Sequence, residues 1–176
     1  LAALASLAGE GACVAALASG FLTGGGVVKA YPKALKLPYS SEAVKNLPPC
    51  PGRFEETGRL VAQEAARLWA GAAVPPLLSS FEIDALRAAK AAEPALPRAF
   101  LCEEIPANWR DILAELDGVA LHCDHKALTE TLARDIKAAG YQLLCYTVND
   151  PADAGRLLAW GVDSLCTDRL DLLPAR

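Results

Sequence analysis

The sequence contains no methionine, only two histidines and, within residues 1–50, no arginine. Two histidines are too few for a metal site built from several histidines, so any such site needs mixed ligands. The six cysteines lie 21 to 52 residues apart, and none forms the Cys-x-x-Cys pair of a structural zinc site. We therefore expect reduced thiols, as in a cytoplasmic protein, rather than a disulfide scaffold or a zinc module.

Positive charge is also in the minority, with 17 Lys and Arg against 21 Asp and Glu and a net charge of −4. Without a basic face, nucleic acid is not an expected partner. The longest apolar stretch, residues 12–22, is interrupted by Ser19 and Gly20 and is too short to cross a bilayer, so no transmembrane segment is predicted. The remaining features, 176 residues of which 53% are hydrophobic, are typical of a globular domain rather than a disordered chain.

The composition changes near residue 50. Residues 1–50 carry four lysines and two acidic residues, whereas residues 51–176 carry ten arginines and three lysines. We therefore divide the chain into an N-terminal segment of unclear structure, residues 1–48, and a regular part, residues 49–176. Because the chain starts without methionine, in Leu-Ala-Ala-Leu, we expect it to be a piece of a longer protein.

Glycines and prolines interrupt the N-terminal segment, which contains Gly-Gly-Gly at 24–26 and Pro-Pro at 48–49. We predict the end of a helix over residues 1–8 and an irregular connection over residues 23–50. Residues 12–22 form either an apolar helix or a buried strand, because their hydrophobic pattern does not separate the two.

Residues 49–176 alternate between short apolar runs and longer segments with helical spacing. The predicted helices cover residues 55–69, 82–92, 108–116, 129–139 and 151–159. The predicted strands cover residues 76–81, 98–101, 118–122, 142–148 and 162–166. This alternation is typical of parallel strands joined by right-handed helical crossovers. It fits either an open, doubly wound sheet or part of a (β/α)₈ barrel.

Two features favour the barrel. No glycine-rich phosphate loop follows any predicted strand, which argues against a nucleotide-binding sheet. Polar residues gather after the strands, which is where barrel enzymes place their active sites. We therefore predict an α/β protein of the TIM-barrel type, present as an incomplete barrel with about five of the eight β/α units.

The strand ends resemble a known family. Residues 75–81 (Pro-Pro-Leu-Leu-Ser-Ser-Phe), 146–149 (Tyr-Thr-Val-Asn), 160–163 (Trp-Gly-Val-Asp) and 166–168 (Cys-Thr-Asp) are similar to the C-terminal part of cytoplasmic glycerophosphodiester phosphodiesterases. The resemblance covers roughly residues 49–176. It implies a (β/α)₈ barrel that hydrolyses a small-molecule glycerophosphodiester to an alcohol and glycerol 3-phosphate. It also implies Mg²⁺ or Ca²⁺ held by carboxylates and two histidines acting as acid and base.

The sequence departs from the family pattern where the chemistry is expected. It has no His-Arg-Gly strand, and the strand that follows it in the family, with its Glu-x-Asp metal pair and a downstream His-Asp, is absent as well. In an ungapped comparison, Asn46, Leu47 and Pro48 replace the family's Glu-Ile-Lys, so the metal-binding Glu and the phosphate-contacting Lys are either lost or displaced into a different register. We therefore assign no catalytic residue and leave the metal ligands unknown, and we predict that this chain alone is inactive.

Two other hypotheses stay open at this stage. The first is a non-enzymatic half-barrel that pairs with another chain, including a second copy of itself, because an exposed sheet edge invites pairing. The second is a doubly wound module that binds a small molecule. An open sheet with helices on both faces would support this module.

Four residues are predicted to bind substrate. The resemblance places Phe81 and Tyr146 against the glycerol carbons, and core packing explains them equally well. His122 either lines the pocket, contacting phosphate or a glycerol hydroxyl, or packs without a functional role. A metal pair of His122 with His125 is disfavoured, because residues three apart on a strand point in different directions. Asn149 either contacts substrate or helps to cap the following helix.

Overall fold

The structure, a computed structural model, describes residues 53–71, 75–169 and 171–173 and two further strands, β1 (Val14–Leu17) and β2 (Gly26–Val28). Strand β1 lies within residues 12–22, so the strand interpretation holds there. Strand β2 lies inside the predicted irregular connection, and that prediction is wrong at these positions because β2 pairs with the sheet. The helix end predicted over residues 1–8 lies outside the described residues.

Five β/α units follow, as the hydrophobic pattern predicts. The helices are α1 (Phe54–Leu68), α2 (Ile83–Ala92), α3 (Trp109–Glu115), α4 (Glu130–Ala138) and α5 (Pro151–Ala159). The strands are β3 (Leu77–Ser80), β4 (Arg98–Cys102), β5 (Ala120–Asp124), β6 (Gln142–Tyr146) and β7 (Ser164–Cys166). None of the described helices is long and apolar enough to cross a membrane.

All strands join one sheet in the order β1-β3-β4-β5-β6-β7-β2. Strands β3 to β7 run parallel, β2 lies parallel to β7, and β1 lies antiparallel to β3. The order of β3 to β7 along the sheet follows the chain, which is the arrangement of consecutive units in a β/α barrel. The fold is therefore an incomplete α/β barrel.

The sheet is strongly curled. The Ser79 hydroxyl of β3 lies 2.8 Å from Nδ1 of His122 on β5. In a flat sheet these strands would be about 10 Å apart, because neighbouring strands lie about 4.8 Å apart. The ring centroids of Phe81, just after β3, and Tyr146, at the end of β6, are 6.3 Å apart although two strands lie between them. Side chains on the concave side therefore converge, as they do inside a barrel.

The main core lies between the convex side of the sheet and the helices. Strand residues such as Leu121 and Leu143 pack there with Leu113, Ile136 and Leu157 of the helices. The opposite side, which we call the inner face, carries a separate small cluster of Leu77, Ala99 and Ala120. Among the described residues the helices thus cover one side of the sheet, which contradicts the doubly wound module with helices on both faces.

The helix starts confirm one predicted cap and correct another. The Asp150 carboxylate accepts a hydrogen bond from the Ala152 N–H at 2.7 Å, and Pro151 takes the first helical position. Asn108 precedes α3 as predicted, but its side chain makes no capping hydrogen bond. Its backbone (φ −92°, ψ 23°) lies outside the extended region from which a side chain reaches back to the first turn.

Candidate functional site

The carboxyl ends of β3 and β6 bring Phe81 and Tyr146 together at the mouth of the inner face. Their rings meet edge to face at an interplanar angle of 84°, a favourable aromatic geometry. The Tyr146 hydroxyl donates to the Cys102 carbonyl at 2.8 Å, which fixes its ring. Phe81 is 37% exposed, so part of its ring is available for contact with a ligand. We call these two residues the aromatic rim.

The Tyr146 phenol is a neutral group at any physiological pH. Burial raises its pKa well above the ordinary value, and the nearby Cys102, Asp124, Cys123 and Glu103 raise it further. Asp124 is the register partner of Tyr146 on β5. The aromatic rim therefore offers apolar surface beside carboxylates rather than a group that transfers protons.

His122 lies on the inner face, on β5 beneath Asp124, and is only 1% exposed. Its Nδ1 shares a 2.8 Å hydrogen bond with the Ser79 hydroxyl. Burial lowers the pKa of His122 to about 3, so the imidazole is neutral near pH 7 and does not serve as an acid–base group there. Sequence reasoning missed Ser79 as its partner, although a polar residue in an apolar strand was a usable signal.

The depressed pKa of His122 predicts acid destabilisation. In the unfolded chain His122 protonates at its ordinary pKa of about 6.5, whereas in the native chain it stays neutral down to about pH 3. Its contribution to the free energy of unfolding is therefore fully present above about pH 6.5 and is lost as the pH falls from there towards 3. Between pH 7 and pH 5 the loss from this residue is about 2 kcal/mol, at 1.36 kcal/mol per pKa unit. Urea unfolding at the two pH values measures it.

Substitution of the two histidines separates this effect from general acid sensitivity. His122→Gln should flatten the stability change between pH 7 and pH 5, whereas His125→Gln should retain it. A proton NMR titration should show one imidazole that remains neutral at pH 5 and disappears in His122→Gln. An unchanged pH slope in His122→Gln contradicts the prediction.

His125 does not converge with His122. It lies in a short 3₁₀ turn after β5, and its Nδ1 donates to the Tyr146 carbonyl at 3.2 Å. Asp124 and Asp153 lie 3.3 Å and 4.0 Å from its two ring nitrogens. His125 thus ties the turn after β5 to the end of β6 and the start of α5. Within the part of the chain that the structure describes, no three His, Cys, Asp or Glu side chains converge to hold a metal ion.

Asn149 joins the loops that follow β6 and β7. Its Oδ1 accepts hydrogen bonds from the Thr167 hydroxyl and the Asp168 N–H, both at 3.0 Å. Its Nδ2 donates to the Asp168 carboxylate at 3.4 Å. The cap of α5 is Asp150 alone, so the predicted capping role of Asn149 is wrong. Asn149 sits at the strand-end edge with its amide engaged by the neighbouring loop.

Comparison of the amino-acid sequence with known proteins identifies a matching family and a relative. Residues 47–172 match the model of the glycerophosphoryl diester phosphodiesterase family. Over 100 residues the chain is 34% identical to a glycerophosphodiester phosphodiesterase of Bacillus subtilis, covering 54% of this chain and 34% of that protein.

Solved structures with a similar fold include phosphodiesterases as well. A phosphodiesterase from Oleispira antarctica, in complex with the product sn-glycerol-3-phosphate, matches with a TM-score of 0.64 and 34% identity, covering 72% of this chain and 51% of that one. A glycerophosphodiester phosphodiesterase from Parabacteroides distasonis shares the fold, with a TM-score of 0.58, 24% identity and coverage of 71% and 51%. The chain therefore spans about half, or less, of the length of these relatives.

Proposed function

Because the chain belongs to the glycerophosphoryl diester phosphodiesterase family, we propose that its five β/α units form the C-terminal part of a phosphodiester hydrolase. The reaction is glycerophosphodiester plus water to an alcohol plus glycerol 3-phosphate. The observation that carries the proposal is the aromatic rim, which stands at the carboxyl ends of the parallel strands, where barrel enzymes bind their substrates. The division of the chain at residue 48 and a cytoplasmic location stay predictions.

The substrate-binding roles follow from the chemistry of each side chain. Phe81 and Tyr146 supply apolar surface for the carbon atoms of glycerol. His122 is neutral near pH 7 but only 1% exposed, so its proposed contact with phosphate or a glycerol hydroxyl requires the inner face to open around it. Asn149 contributes by holding the Asp168 carboxylate at the strand-end edge. The sn-glycerol-3-phosphate in the Oleispira antarctica structure supports a site for that product.

The divalent metal expected for the family, Mg²⁺ or Ca²⁺, does not fit the described residues. Hard cations need several oxygen ligands that point at one position, and the described side chains form no such set. The same residues contain both histidines of the sequence, and neither occupies a matching position for the family's acid–base pair. We therefore derive no catalytic step from this part of the chain.

We expect no hydrolysis of glycerophosphocholine by the 176-residue chain alone, with either Mg²⁺ or Ca²⁺ present. The physical reason is the absence from its sequence of the His-Arg-Gly strand and of the following strand that carries the family's metal-binding Glu-x-Asp pair. Release of glycerol 3-phosphate, followed by a coupled dehydrogenase assay, measures it, and the Bacillus subtilis relative is the positive control. Metal-dependent turnover by the isolated chain overturns this expectation.

Product binding tests the aromatic rim directly. Phe81→Ala should weaken the binding of sn-glycerol 3-phosphate by about 3- to 10-fold, because it removes partly buried apolar contact worth about 1 kcal/mol. Leu158→Ala is the matched control, since Leu158 is similarly exposed, at 39%, but lies on α5. Isothermal titration of the chain and both variants measures the difference. Equal affinity in the two variants, or no binding at all, counts against the proposed site.

The half-barrel that pairs with another chain stays the second hypothesis. Pairing with another chain needs an outer strand with a free edge. In the structure β1 pairs with the outer edge of β3, and β2 pairs with the outer edge of β7. A partner must therefore displace these strands or add to β1 or β2. Light scattering of the purified chain distinguishes the cases, because a stable monomer argues against pairing with a second copy.

A further inference from the structure

Three cysteines stand side by side in one row of the sheet. Cys102 on β4 is the register partner of Cys123 on β5, which is the register partner of Cys145 on β6. All three are free and buried, and they belong to the main core on the helix-covered side. We call them the thiol row. It lies on the side of the sheet opposite the inner face, so the proposed substrate site does not use it.

Only two members of the thiol row have their sulfur atoms in contact. The Sγ atoms of Cys123 and Cys145 are 3.9 Å apart, whereas the Cys102 thiol donates to the His122 carbonyl at 3.6 Å. Register partners on neighbouring strands lie about 4.8 Å apart, which is within the Cα separation of about 4.4–6.8 Å that disulfides span. Rotation of the two side chains is the main change that a covalent link would need.

We propose that Cys123 and Cys145 form an intrachain disulfide, which joins β5 to β6, when the core opens to a disulfide oxidant such as glutathione disulfide. One thiolate attacks a glutathione sulfur and releases a first glutathione thiolate. The second thiolate then attacks the mixed disulfide and releases the other glutathione. The two protein thiols lose two electrons and two protons, and glutathione disulfide gains both to become two glutathione molecules.

Opening of the core controls this reaction. The hydrogen bond with Cys145, together with burial, raises the pKa of the Cys123 thiol far above its ordinary value. In the closed core Cys123 is therefore almost entirely in the thiol form, whereas the thiolate is the reactive form. The link lies directly beneath the register pair of Asp124 and Tyr146. Oxidation would thus tie together the two strand ends that carry Tyr146 and the His125 contact.

Peptide mapping tests the proposal on the natural chain. The chain is incubated with glutathione disulfide in buffer and in urea below the unfolding midpoint, alkylated and digested with trypsin without reduction. Cys102, Cys123 and Cys145 fall in the separate tryptic peptides 99–110, 111–126 and 138–156. We expect peptide 111–126 linked to peptide 138–156 as the dominant cross-link, formed faster in urea and reversed by dithiothreitol.

Two variants sharpen the assignment. Cys102→Ser is the matched control from the same row and should leave the rate of cross-linking within twofold of the natural chain. Cys145→Ala should abolish the link and leave Cys123 as a mixed disulfide with glutathione. A dominant link between any other pair of peptides overturns the proposal, and so does a chain that cross-links only when fully unfolded. The mapping of the natural chain decides even where a variant folds poorly.

Discussion

Replacement of Gly58 by alanine is expected to destabilise the protein by about 3 kcal/mol, although alanine stabilises most helices by about 1 kcal/mol relative to glycine. Gly58 is buried in α1, where it packs against α2. An added Cβ atom would lie 2.0 Å from the Ala85 carbonyl oxygen and 2.8 Å from the Ala85 Cα. Backbone atoms cannot rotate away, so the two helices must separate and lose the packing between them.

The matched control is Gly155→Ala in α5. An added Cβ atom at Gly155 has no neighbour within 4 Å, so only the helix preference acts and a gain of about 0.5–1 kcal/mol is expected. Urea unfolding followed by circular dichroism measures both variants. If Gly58→Ala is as stable as the natural protein, α1 does not approach α2 as closely as described.

The close contact at Gly58 also explains where the sequence pattern misled. Helical spacing predicts an apolar face for the first helix, made of Leu60, Val61, Ala65, Leu68 and Trp69. Val61 and Ala65 are buried, whereas Leu60 and Leu68 are 47% and 51% exposed. The buried face also contains Gly58 and Ala62, and it packs against Ala85 and Ala89 of α2. Helices that approach this closely need small residues, whereas a hydrophobicity pattern gives most weight to leucine. The helix was predictable, but only part of its buried face was, because the close contact is made by glycine and alanine.

The β/α order was predictable for a local reason. Each strand of the regular part is a short apolar run, and each helix has its own stop or cap, as Asp150 and Pro151 show for α5. The curl of the sheet has no such local signal. Contacts such as Ser79 with His122 depend on the summed twist of several strands. For the same reason, the sequence indicates Phe81 and Tyr146 only as two separate strand-end residues, and the curl of the sheet brings their rings into contact.

Asn149 shows how a local pattern can assign the wrong partner. Asn and Asp both favour the position before a helix, and the sequence Asn-Asp-Pro offers two candidates. Pro151 at the first helical position makes Asp150 the cap. Asn149 is one residue too early, and its amide bonds instead to Thr167 and Asp168, which are adjacent only through the parallel pairing of β6 and β7.

Replacement of Arg98 by methionine is expected to cost about 3–5 kcal/mol, because it removes a buried charged donor from several carbonyl acceptors. Arg98 begins β4 and is 3% exposed. Its Nε donates to the Leu116 carbonyl at 2.7 Å, and its Nη1 donates to the carbonyls of Pro94 and Leu96. Methionine fills similar volume but leaves these acceptors buried without a donor.

The same residue predicts a loss that does not vary with pH. Burial lowers the pKa of Arg98, but the ordinary pKa of an arginine is so high that the guanidinium stays charged throughout the pH range in which the protein is stable. The penalty of Arg98→Met should therefore be equal at pH 6 and pH 8 in urea unfolding. Arg98→Lys keeps the charge but loses the planar set of donors, so we expect an intermediate loss.

An exposed arginine provides the control that separates burial from charge. The Arg134 side chain is 71% exposed and pairs with Glu130 one helical turn away. Arg134→Ala should change stability by no more than about 0.5 kcal/mol, because exposed ion pairs contribute little. If Arg98→Met costs no more than Arg134→Ala, the Arg98 hydrogen bonds do not hold the end of α3 against the start of β4. If Arg98→Met lowers the free energy of unfolding much more than Arg134→Ala does, and equally at pH 6 and pH 8, the Arg98 guanidinium holds these two elements together.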